Sequence, residues 1–360
     1  MTTKVPSELV SNQVFGRRNV VTNGGMQVAQ RGTQTGLGAS SGVYGATDRF
    51  SIVTNGIGGR MTIEQSTDTP SGFGNSVKLS CTTTDTSLAA GDYLSFSTRL
   101  EGIDMQRFAK GTSDAEKFAV SFYVKANANA TYVCELYEYD NFRHVSQTFS
   151  VTTAWTRVEL SFPADTTGAI DNDSNLSFAI NIYLHAGSNF TGGTLQTTWA
   201  GSGFRATGTD NFFDSTSRTL FLTGVQLEIG DKPTPFEHKP LKQELIECRR
   251  YFERKQGKAN TFLLIGQSFN TTGAYGTFDY QVEKRADPSI SFSGEGTGST
   301  QWQWLTAAGG SPSGTGSTTG HTMTTWNARL QAASYTGLTN QAPSGFYSFG
   351  TAYVDIDAEI

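Results

Sequence analysis

Apolar side chains recur at every second position in several stretches of this 360-residue chain. The period holds in residues 117–125, 156–162 and 176–184. Successive side chains of a strand point to opposite faces of a sheet, so each stretch predicts a strand with one buried face. Pro163 follows the second stretch and predicts its end, because proline cannot donate a ladder hydrogen bond. We therefore expect half-buried antiparallel strands.

The composition of the chain agrees with an all-β fold and argues against nucleic acid as a partner. Glycine contributes 40 residues, and small polar residues crowd the segments between apolar runs, as tight turns between strands require. Charged residues are 16% of the chain and the net charge is -5, which offers no electrostatic footprint for a phosphate backbone. Nucleic acid is therefore not an expected partner. Residues 1–15 are polar, so neither a signal peptide nor membrane insertion is expected.

A short amphipathic helix is predicted to interrupt the strands near Pro240. Leu241, Leu245, Cys248 and Phe252 are spaced i, i+4, i+7 and i+11, which places them on one helical face. Proline suits the first turn of a helix, so the helix is expected to begin there. Strand patterns return afterwards, and the helix therefore predicts a joint between two domains.

The chain is expected to divide into four parts. These are an N-terminal docking segment (1–17), a β-sandwich (18–239), a linker helix (240–257) and a second, smaller β-sandwich (258–360). A chain of this length exceeds one ordinary core and can bury apolar side chains in two. The predicted fold class is all-β, with an antiparallel β-sandwich followed by a short helix and a second sandwich.

Several blocks of the chain resemble a known family in the order that the family has them. They are residues 18–32, 46–50, 118–125 with 153–158, 222–230 with 234–237, and 244–252. These blocks resemble the jelly-roll, carbohydrate-binding-module-like β-sandwich of tail-fibre and appendage proteins of bacterial viruses (bacteriophages). Residues 284–288 also resemble a turn of the small jelly-roll domain that ends many of these fibre proteins. The resemblance implies a virion structural protein that assembles as a homo-oligomer, often a trimer.

Two functions are compatible with that resemblance. The first is a tail fibre or short tail appendage that contributes to attachment to glycans of the host surface. The alternative is a head decoration or adaptor protein with a purely structural role, whose partners are other virion proteins. In both cases the protein would be made in the host cytoplasm and end in the virion. The polar N-terminal segment is the candidate for docking onto another virion protein.

Four aromatic residues are candidates for contact with a glycan, because an aromatic face can stack on a sugar ring. They are Tyr132, Tyr137, Tyr139 and Trp199. The alternative place for each of them is the hydrophobic core of a sandwich.

Other candidates are structural. Gln226, Glu228, Arg250 and Tyr251 belong to the resembling blocks and are expected to support the fold. For Glu228, the carboxylate is expected to accept hydrogen bonds from nearby backbone donors. Three residues of the predicted helix are candidates for an oligomer interface: Leu241, Leu245 and Phe252.

No arrangement of residues in the sequence predicts catalysis, and the protein is not expected to be an enzyme. The four histidines are scattered, and neither a nucleophile motif nor a phosphate-binding loop is present. A glycan hydrolase needs two carboxylates across a sugar, and the densest acidic group is Glu135, Glu138 and Asp140. On a strand Glu135 points away from the other two, so this group predicts a solvated strand end.

A bound cofactor is not predicted either. Related carbohydrate-binding sandwiches commonly hold a structural calcium ion, but the segment that would open its site, residues 220–224, carries no acidic side chain here. Asp355, Asp357 and Glu359 share one strand face and predict an acidic, solvated stripe that protects a sheet edge, with calcium binding as the alternative. The three cysteines match no metal-ligand spacing and are expected to be reduced and buried.

Overall fold

The structure is a computed structural model that describes residues 17–258, 261–293, 302–306, 317–348 and 351–360. The chain forms two compact units. The first comprises the chain up to Gln27, Thr33–Val43 and Phe50–Lys239, and the second comprises Val28–Gly32, Tyr44–Arg49 and Pro240–Ile360. The expectation of an all-β chain is confirmed, since strands dominate both units. The predicted docking segment lies outside the described residues except for Arg17.

The first unit contains these strands: β1 (Gln34–Leu37), β2 (Val43–Tyr44), β3 (Phe50–Asn55), β4 (Arg60–Ser66), β5 (Ser76–Thr83), β6 (Tyr93–Glu101), β7 (Phe118–Ala126), β8 (Ala130–Glu138), β9 (Arg143–Val151), β10 (Thr156–Phe162), β11 (Leu176–Ala186) and β12 (Thr219–Ile229). Its helices are the single turns α1 (Gly102–Met105) and α2 (Ser188–Thr191). Two short 3-10 turns, Gln106–Phe108 and Phe212–Asp214, complete the described elements of this unit.

These strands form two antiparallel sheets that pack face to face as a sandwich. Sheet 1 has the order β1-β4-β5-β12-β7-β10, and sheet 2 has the order β2-β3-β6-β11-β8-β9. Stacked phenylalanines fill the space between them: Phe118 lies 4.5 Å from Phe108 and 5.5 Å from Phe178, ring centre to ring centre. Each buried Phe side chain contributes roughly 1.5–3 kcal/mol to the stability of such a core.

The predicted strand periods are correct in position, but two of these strands are buried on both faces. The second face of β11 is covered by residues 187–210, which we call the covering loop. Val133 and Tyr183 on that face form a small apolar cluster with Ala206 of the loop, and Phe190 packs against it. A sequence period reports the face that is apolar, and it cannot report that a distant loop covers the other face.

The second unit is built around the C-terminal part of the chain. Its helix is α3 (Leu241–Arg249), and its strands are β13 (Phe252–Gly257), β14 (Thr261–Ser268), β15 (Ala274–Asp279), β16 (Ser289–Ser293), β17 (Trp302–Thr306), β18 (Ser317–Met323), β19 (Asn327–Ala333), β20 (Pro343–Ser348) and β21 (Ala352–Asp357). Sheet 3 has the order β13-β21-β16, and sheet 4 has the order β17-β20-β14-β15-β19-β18. Trp302, Trp304 and Phe346 are fully buried in its core, with Val354 and Ile356 of β21.

The helix is shorter than the predicted linker of residues 240–257. It ends at Arg249, and Phe252 begins a strand that pairs with β21. The ring of Phe252 is buried, and the Arg31 guanidinium lies 3.5 Å above its centre. Placing Phe252 on the apolar face of the helix is therefore wrong, because backbone pairing with β21 puts this residue in a sheet.

The expected acidic edge stripe is also wrong. Strand β21 is the central strand of sheet 3, so its acidic side chains have neighbours on both sides. Asp355 accepts two hydrogen bonds from Arg254, at 2.6 Å each. Glu359 is 4% exposed and is paired with Arg49 and with Arg31, the latter at 3.3 Å. Buried carboxylates require partners, and segments 28–32 and 44–49 supply these two arginines.

Cys81, Cys134 and Cys248 are buried and unpaired by disulfide, as the sequence predicted. Burial raises the pKa of the Cys248 thiol well above its ordinary value, which keeps it protonated and inert. Among the described residues, no helix combines the length and the hydropathy that a bilayer span requires.

Candidate functional site

A row of polar side chains crosses the outer face of sheet 2, the face turned away from the sandwich core. Backbone pairing places one residue of each of five strands side by side. In spatial order they are Ser51, Ser97, Asn181, Glu135 and Ser146. Neighbouring strands lie ~4.8 Å apart, so the row extends over roughly 19 Å.

The row is buried, yet much of its hydrogen-bonding capacity is unused. The hydroxyl oxygens of Ser51, Ser97 and Ser146 and the amide oxygen of Asn181 have no hydrogen-bond partner among the described residues. An unpaired buried polar atom costs about 1–3 kcal/mol, so native proteins rarely keep such atoms without a role. The row is therefore a polar layer inside this face, beneath the side chains that reach the surface.

Tyrosines flank the row. Tyr137 of β8 and Tyr139, just after that strand, lie 4.6 Å apart, and Tyr93 of β6 lies 6.2 Å from Tyr183 of β11, between ring centres. Tyr137, Tyr139 and Tyr93 are partly exposed, whereas Tyr183 is buried. Burial raises the pKa of Tyr139 to about 12 and that of Tyr137 above its ordinary value, so both hydroxyls stay protonated. The rings therefore present apolar faces with neutral hydroxyl tips.

Glu135 is the charged member of the row. One of its oxygens accepts a hydrogen bond of 2.8 Å from the side-chain amide of Asn181, and the other lies 3.5 Å from Nε of Arg205. Burial raises the pKa of this carboxyl, and the nearby Arg205 charge acts in the opposite direction. Glu135 is therefore held in place by two partners, of which the ion pair is the looser.

His144 lies at one end of the site and is stacked with Tyr137, with 6.2 Å between ring centres. Burial, together with the charges of Arg205 and Arg143, lowers the pKa of His144 to about 4. The imidazole is therefore neutral at physiological pH, and its Nε2 has no hydrogen-bond partner among the described residues.

The covering loop is held against sheet 2 at several points. The backbone of Ser146 donates to the carbonyl of Gln196 at 2.8 Å, and the backbone of His144 donates to the carbonyl of Ala200 at 2.9 Å. Thr131 donates to the side chain of Asp210 at 2.7 Å, while the Asp210 backbone donates back to Thr131 at 2.8 Å. These bonds fix the position of Arg205 over the tyrosines.

The structure brings two of the four glycan candidates to this face. Tyr137 and Tyr139 belong to the cluster, whereas Tyr132 is 2% exposed and points into the core beside Phe149. The expectation that Tyr132 is exposed is wrong, because it is an odd number of residues from Tyr137 along the same strand and so has the opposite face. Trp199 packs on Phe118 of the core, and its indole nitrogen donates to the carbonyl of Pro163 at 2.7 Å.

The acidic group of β8 is not a solvated strand end. Glu135 and Glu138 are both fully buried, on opposite faces of the strand. Glu138 accepts a hydrogen bond from the buried Lys110 ammonium at 3.1 Å and one from the backbone of Asn141 at 2.7 Å. Each of the two buried carboxylates is paired with a cationic side chain. The alternation of residues along a strand cannot show such pairing.

Two of the four residues expected to be structural, Gln226 and Glu228, lie on sheet 1. Glu228 accepts hydrogen bonds from the backbone of Thr234 at 2.6 Å and from the side chain of Gln226 at 2.8 Å. Strand β12 carries an irregularity between Thr223 and Gln226, where Gly224 has a φ of 66°. A side chain at Gly224 would also meet the ring of Phe73 at 2.8 Å, so this position requires glycine.

The remaining sequence candidates belong to the second unit. The Arg250 carbonyl accepts from the backbone of Arg285, and the buried Tyr251 ring lies 3.4 Å below the Arg49 guanidinium. On the helix, Leu241 is 56% exposed and Leu245 is partly exposed. An oligomer interface through these two leucines stays a prediction, whereas Phe252 is buried within its own unit.

Sequence reasoning missed Arg205, Asn181 and the three serines of the row. Asn181 offered a signal, since it is a polar residue inside an otherwise apolar strand. Arg205 lies in a glycine-rich loop, where nothing in the sequence separates it from any other exposed arginine. Within the described residues, no group of three or more histidine, cysteine or acidic side chains could hold a metal ion.

No protein-family model and no curated protein matches the chain. Solved structures with some similarity include the family 11 carbohydrate-binding module of cellulase Lic26A-Cel5E of Clostridium thermocellum, at 12% identity over 58% of this chain and 98% of that one, with a TM-score of 0.28. The family 30 module of Cel9D-Cel44B from the same organism matches at 12% identity over 57% and 98%, with a TM-score of 0.26. Discoidin II of Dictyostelium discoideum matches at 13% identity over 82% and 87%, with a TM-score of 0.18. TM-scores of this size carry no argument about the function of the chain.

Proposed function

We propose that the protein binds a glycan on the outer face of sheet 2. The observation that carries the proposal is the group of partly exposed tyrosines, Tyr93, Tyr137 and Tyr139, beside the partly exposed Arg205 on this face. Sugar hydroxyls both donate and accept hydrogen bonds, as do the tyrosine hydroxyls, and the apolar face of a sugar ring can stack on an aromatic ring. Apolar surface with a few convergent polar groups is the usual composition of a small-molecule site.

The proposal extends to the setting of the protein. We propose a virion protein of a bacterial virus, a tail fibre or short tail appendage that contributes to attachment to host glycans. The sequence blocks named above support this setting, and the group of tyrosines supports the glycan. A head decoration or adaptor protein remains the second candidate, supported by the exposed Leu241 and Ile246 of α3, which suit a contact with another protein.

Glycan binding is tested by screening the full chain on an array of bacterial surface oligosaccharides. The substitution Tyr137→Ala removes one stacking face. We expect it to weaken the free energy of glycan binding by roughly 1 kcal/mol, which is about fivefold in affinity. Tyr123→Ala is the matched control, because Tyr123 is a partly exposed tyrosine on sheet 1 that packs on Phe73. Absence of binding to every glycan, or equal losses in both variants, would refute this site.

The virion setting is tested by labelling intact particles with gold-coupled antibody against the chain. Gold at the tail tip or collar is the expected result. Gold over the head would favour the decoration protein and remove the receptor role, whereas particles without label would contradict a virion protein altogether.

A further inference from the structure

The guanidinium of Arg205 is only partly used by the protein. Its Nε lies 3.5 Å from Glu135, which is longer than the 2.7–2.9 Å typical of a charge-assisted hydrogen bond. Its two terminal nitrogens have no hydrogen-bond partner among the described residues. The side chain is 22% exposed, so these nitrogens are accessible from the surface.

The guanidinium is nevertheless held in a fixed place. Its central carbon lies 5.2 Å from the ring centre of Tyr137, 5.3 Å from that of Phe190 and 6.0 Å from that of Tyr183. Cation–π contacts of this kind fix the plane of the group while leaving its edge free. A ligand that meets this edge does not have to immobilise a flexible side chain, and so avoids an entropic cost.

A planar guanidinium edge with two free N–H groups matches the two oxygens of a carboxylate. We propose that Arg205 recognises the carboxylate of an acidic sugar, so that the ligand of this face is a uronic-acid-type glycan rather than a neutral one. The inference rests on the proposed glycan-binding function and names its ligand class. The tyrosines hold the sugar rings, and the Arg205 fork selects those that carry a carboxylate.

The remaining charges of the face allow an anion. Glu138 points to the core and is paired with Lys110, so it does not face the ligand. Arg99 is two residues from Ser97 along β6 and lies on the same face. It adds a second positive charge near Tyr139. His144 is neutral, and Glu135 is fully buried and lies on the Nε side of Arg205. Only the Nε side of Arg205 is compensated.

The experiment compares each uronic-acid oligosaccharide with its carboxyl-reduced form, in which the carboxylate has become a primary alcohol. Binding is measured by calorimetry with the full chain at low and high salt. We expect the carboxylate form to bind about tenfold or more tightly, and this preference to weaken at high salt. A phosphate-bearing oligosaccharide is the third probe, since phosphate also fits an arginine fork.

Three variants locate the preference. Arg205→Gln should abolish it, and Arg205→Lys should reduce it, because lysine keeps the charge but lacks the fork. Arg218→Gln is the matched control, since Arg218 has the same 22% side-chain exposure and forms an ion pair with Asp214. Glu135→Gln should strengthen binding of the carboxylate form, which keeps the test informative if Arg205→Gln does not fold.

Each outcome has a distinct meaning. A carboxylate preference that depends on Arg205 and not on Arg218 supports the inference. Equal binding of both forms overturns the inference while the proposed glycan function stands, and a preference for the phosphate probe assigns the Arg205 site to a different anion and also overturns it. Failure of every glycan to bind overturns the inference and the proposed function together.

Discussion

Two arginine–carboxylate pairs of this protein, one in each unit, differ in geometry. In the second unit Arg254 and Asp355 form a closed fork, with two hydrogen bonds of 2.6 Å. In the first unit Arg205 approaches Glu135 through Nε alone, at 3.5 Å, and leaves its terminal nitrogens free. A closed fork uses the hydrogen bonds of the arginine within the fold, whereas an open one leaves some of its donors unused. The comparison shows that two arginines paired with carboxylates can differ in how many of their donors the protein uses.

The largest expected effect tests the structural side of this comparison. Arg49→Gln leaves the buried carboxylate of Glu359 with one cation in place of two, and breaking a buried pair costs about 3–5 kcal/mol. We expect that loss in the free energy of unfolding, measured by urea denaturation. Arg205→Gln should lose less, since its ion pair is longer and Glu135 keeps the hydrogen bond from Asn181. Equal losses would remove the distinction between the two kinds of pair.

A second test uses pH, to which the two units should respond in opposite directions. Burial lowers the pKa of His144 to about 4, so its contribution to the stability of the first unit is present above pH 6.5 and is lost as the pH falls through 4. Burial raises the pKa of Asp48, in the second unit, to about 6. Its contribution is present below pH 3.8 and is lost as the pH rises through 6. Each amounts to roughly 3 kcal/mol at most.

Two variants isolate these contributions. His144→Gln should lose less stability than the parent protein between pH 7 and pH 4.5. The free energy of unfolding of Asp48→Asn, relative to that of the parent protein, should be higher at pH 7 than at pH 4.5. The reason is that only the parent protein carries a buried charge at position 48 at neutral pH. Thermal melting at the two pH values measures both differences. If each variant changes its stability between these pH values as much as the parent protein does, His144 and Asp48 are not the groups responsible.

The smallest effect on stability is expected at the exposed helix of the second unit. Leu241→Asp should change the free energy of unfolding by less than about 0.5 kcal/mol, as is usual for an exposed position. If α3 packs against a second copy, the variant should nevertheless sediment as a smaller species in analytical ultracentrifugation. A variant with the mass of the parent protein would exclude this helix as the interface. Ile265→Asp, at a side chain that is 76% exposed on sheet 4, serves as the comparison.

The strands of the sandwich could be predicted because their signal is local. Residues 118–125, 156–162 and 176–184 alternate in the sequence and form strands where the alternation places them. Phe252 shows where a local pattern is insufficient. It fits the helical spacing of Leu241, Leu245 and Cys248, yet pairing with β21 places it in a strand. Helical spacing is a weak preference, and backbone pairing with a distant strand overrides it.

Prediction of the candidate site was partial for the same reason. Tyr137 and Tyr139 were identifiable from the sequence as aromatic residues near a strand end. That Tyr132 lies on the opposite face from them could be known only once the strand was placed in a sheet with one face in the core. The polar row required five strands to be in register, with the closest pair in sequence, Glu135 and Ser146, still separated by a turn. Neither the row nor the free edge of Arg205 exists until those strands pair.

By itself, the sequence determined the all-β class, the burial of its cysteines and the place where the strands give way to a helix, since each of these depends on side chains close together along the chain. Only the tertiary structure decided which face of sheet 2 is covered, which carboxylates are buried beside arginines and how closely each of these pairs approaches. The physical reason is that burial and ion pairing depend on distances in space, and here those distances join residues such as Glu135 and Arg205, or Arg49 and Glu359, that lie far apart in the chain.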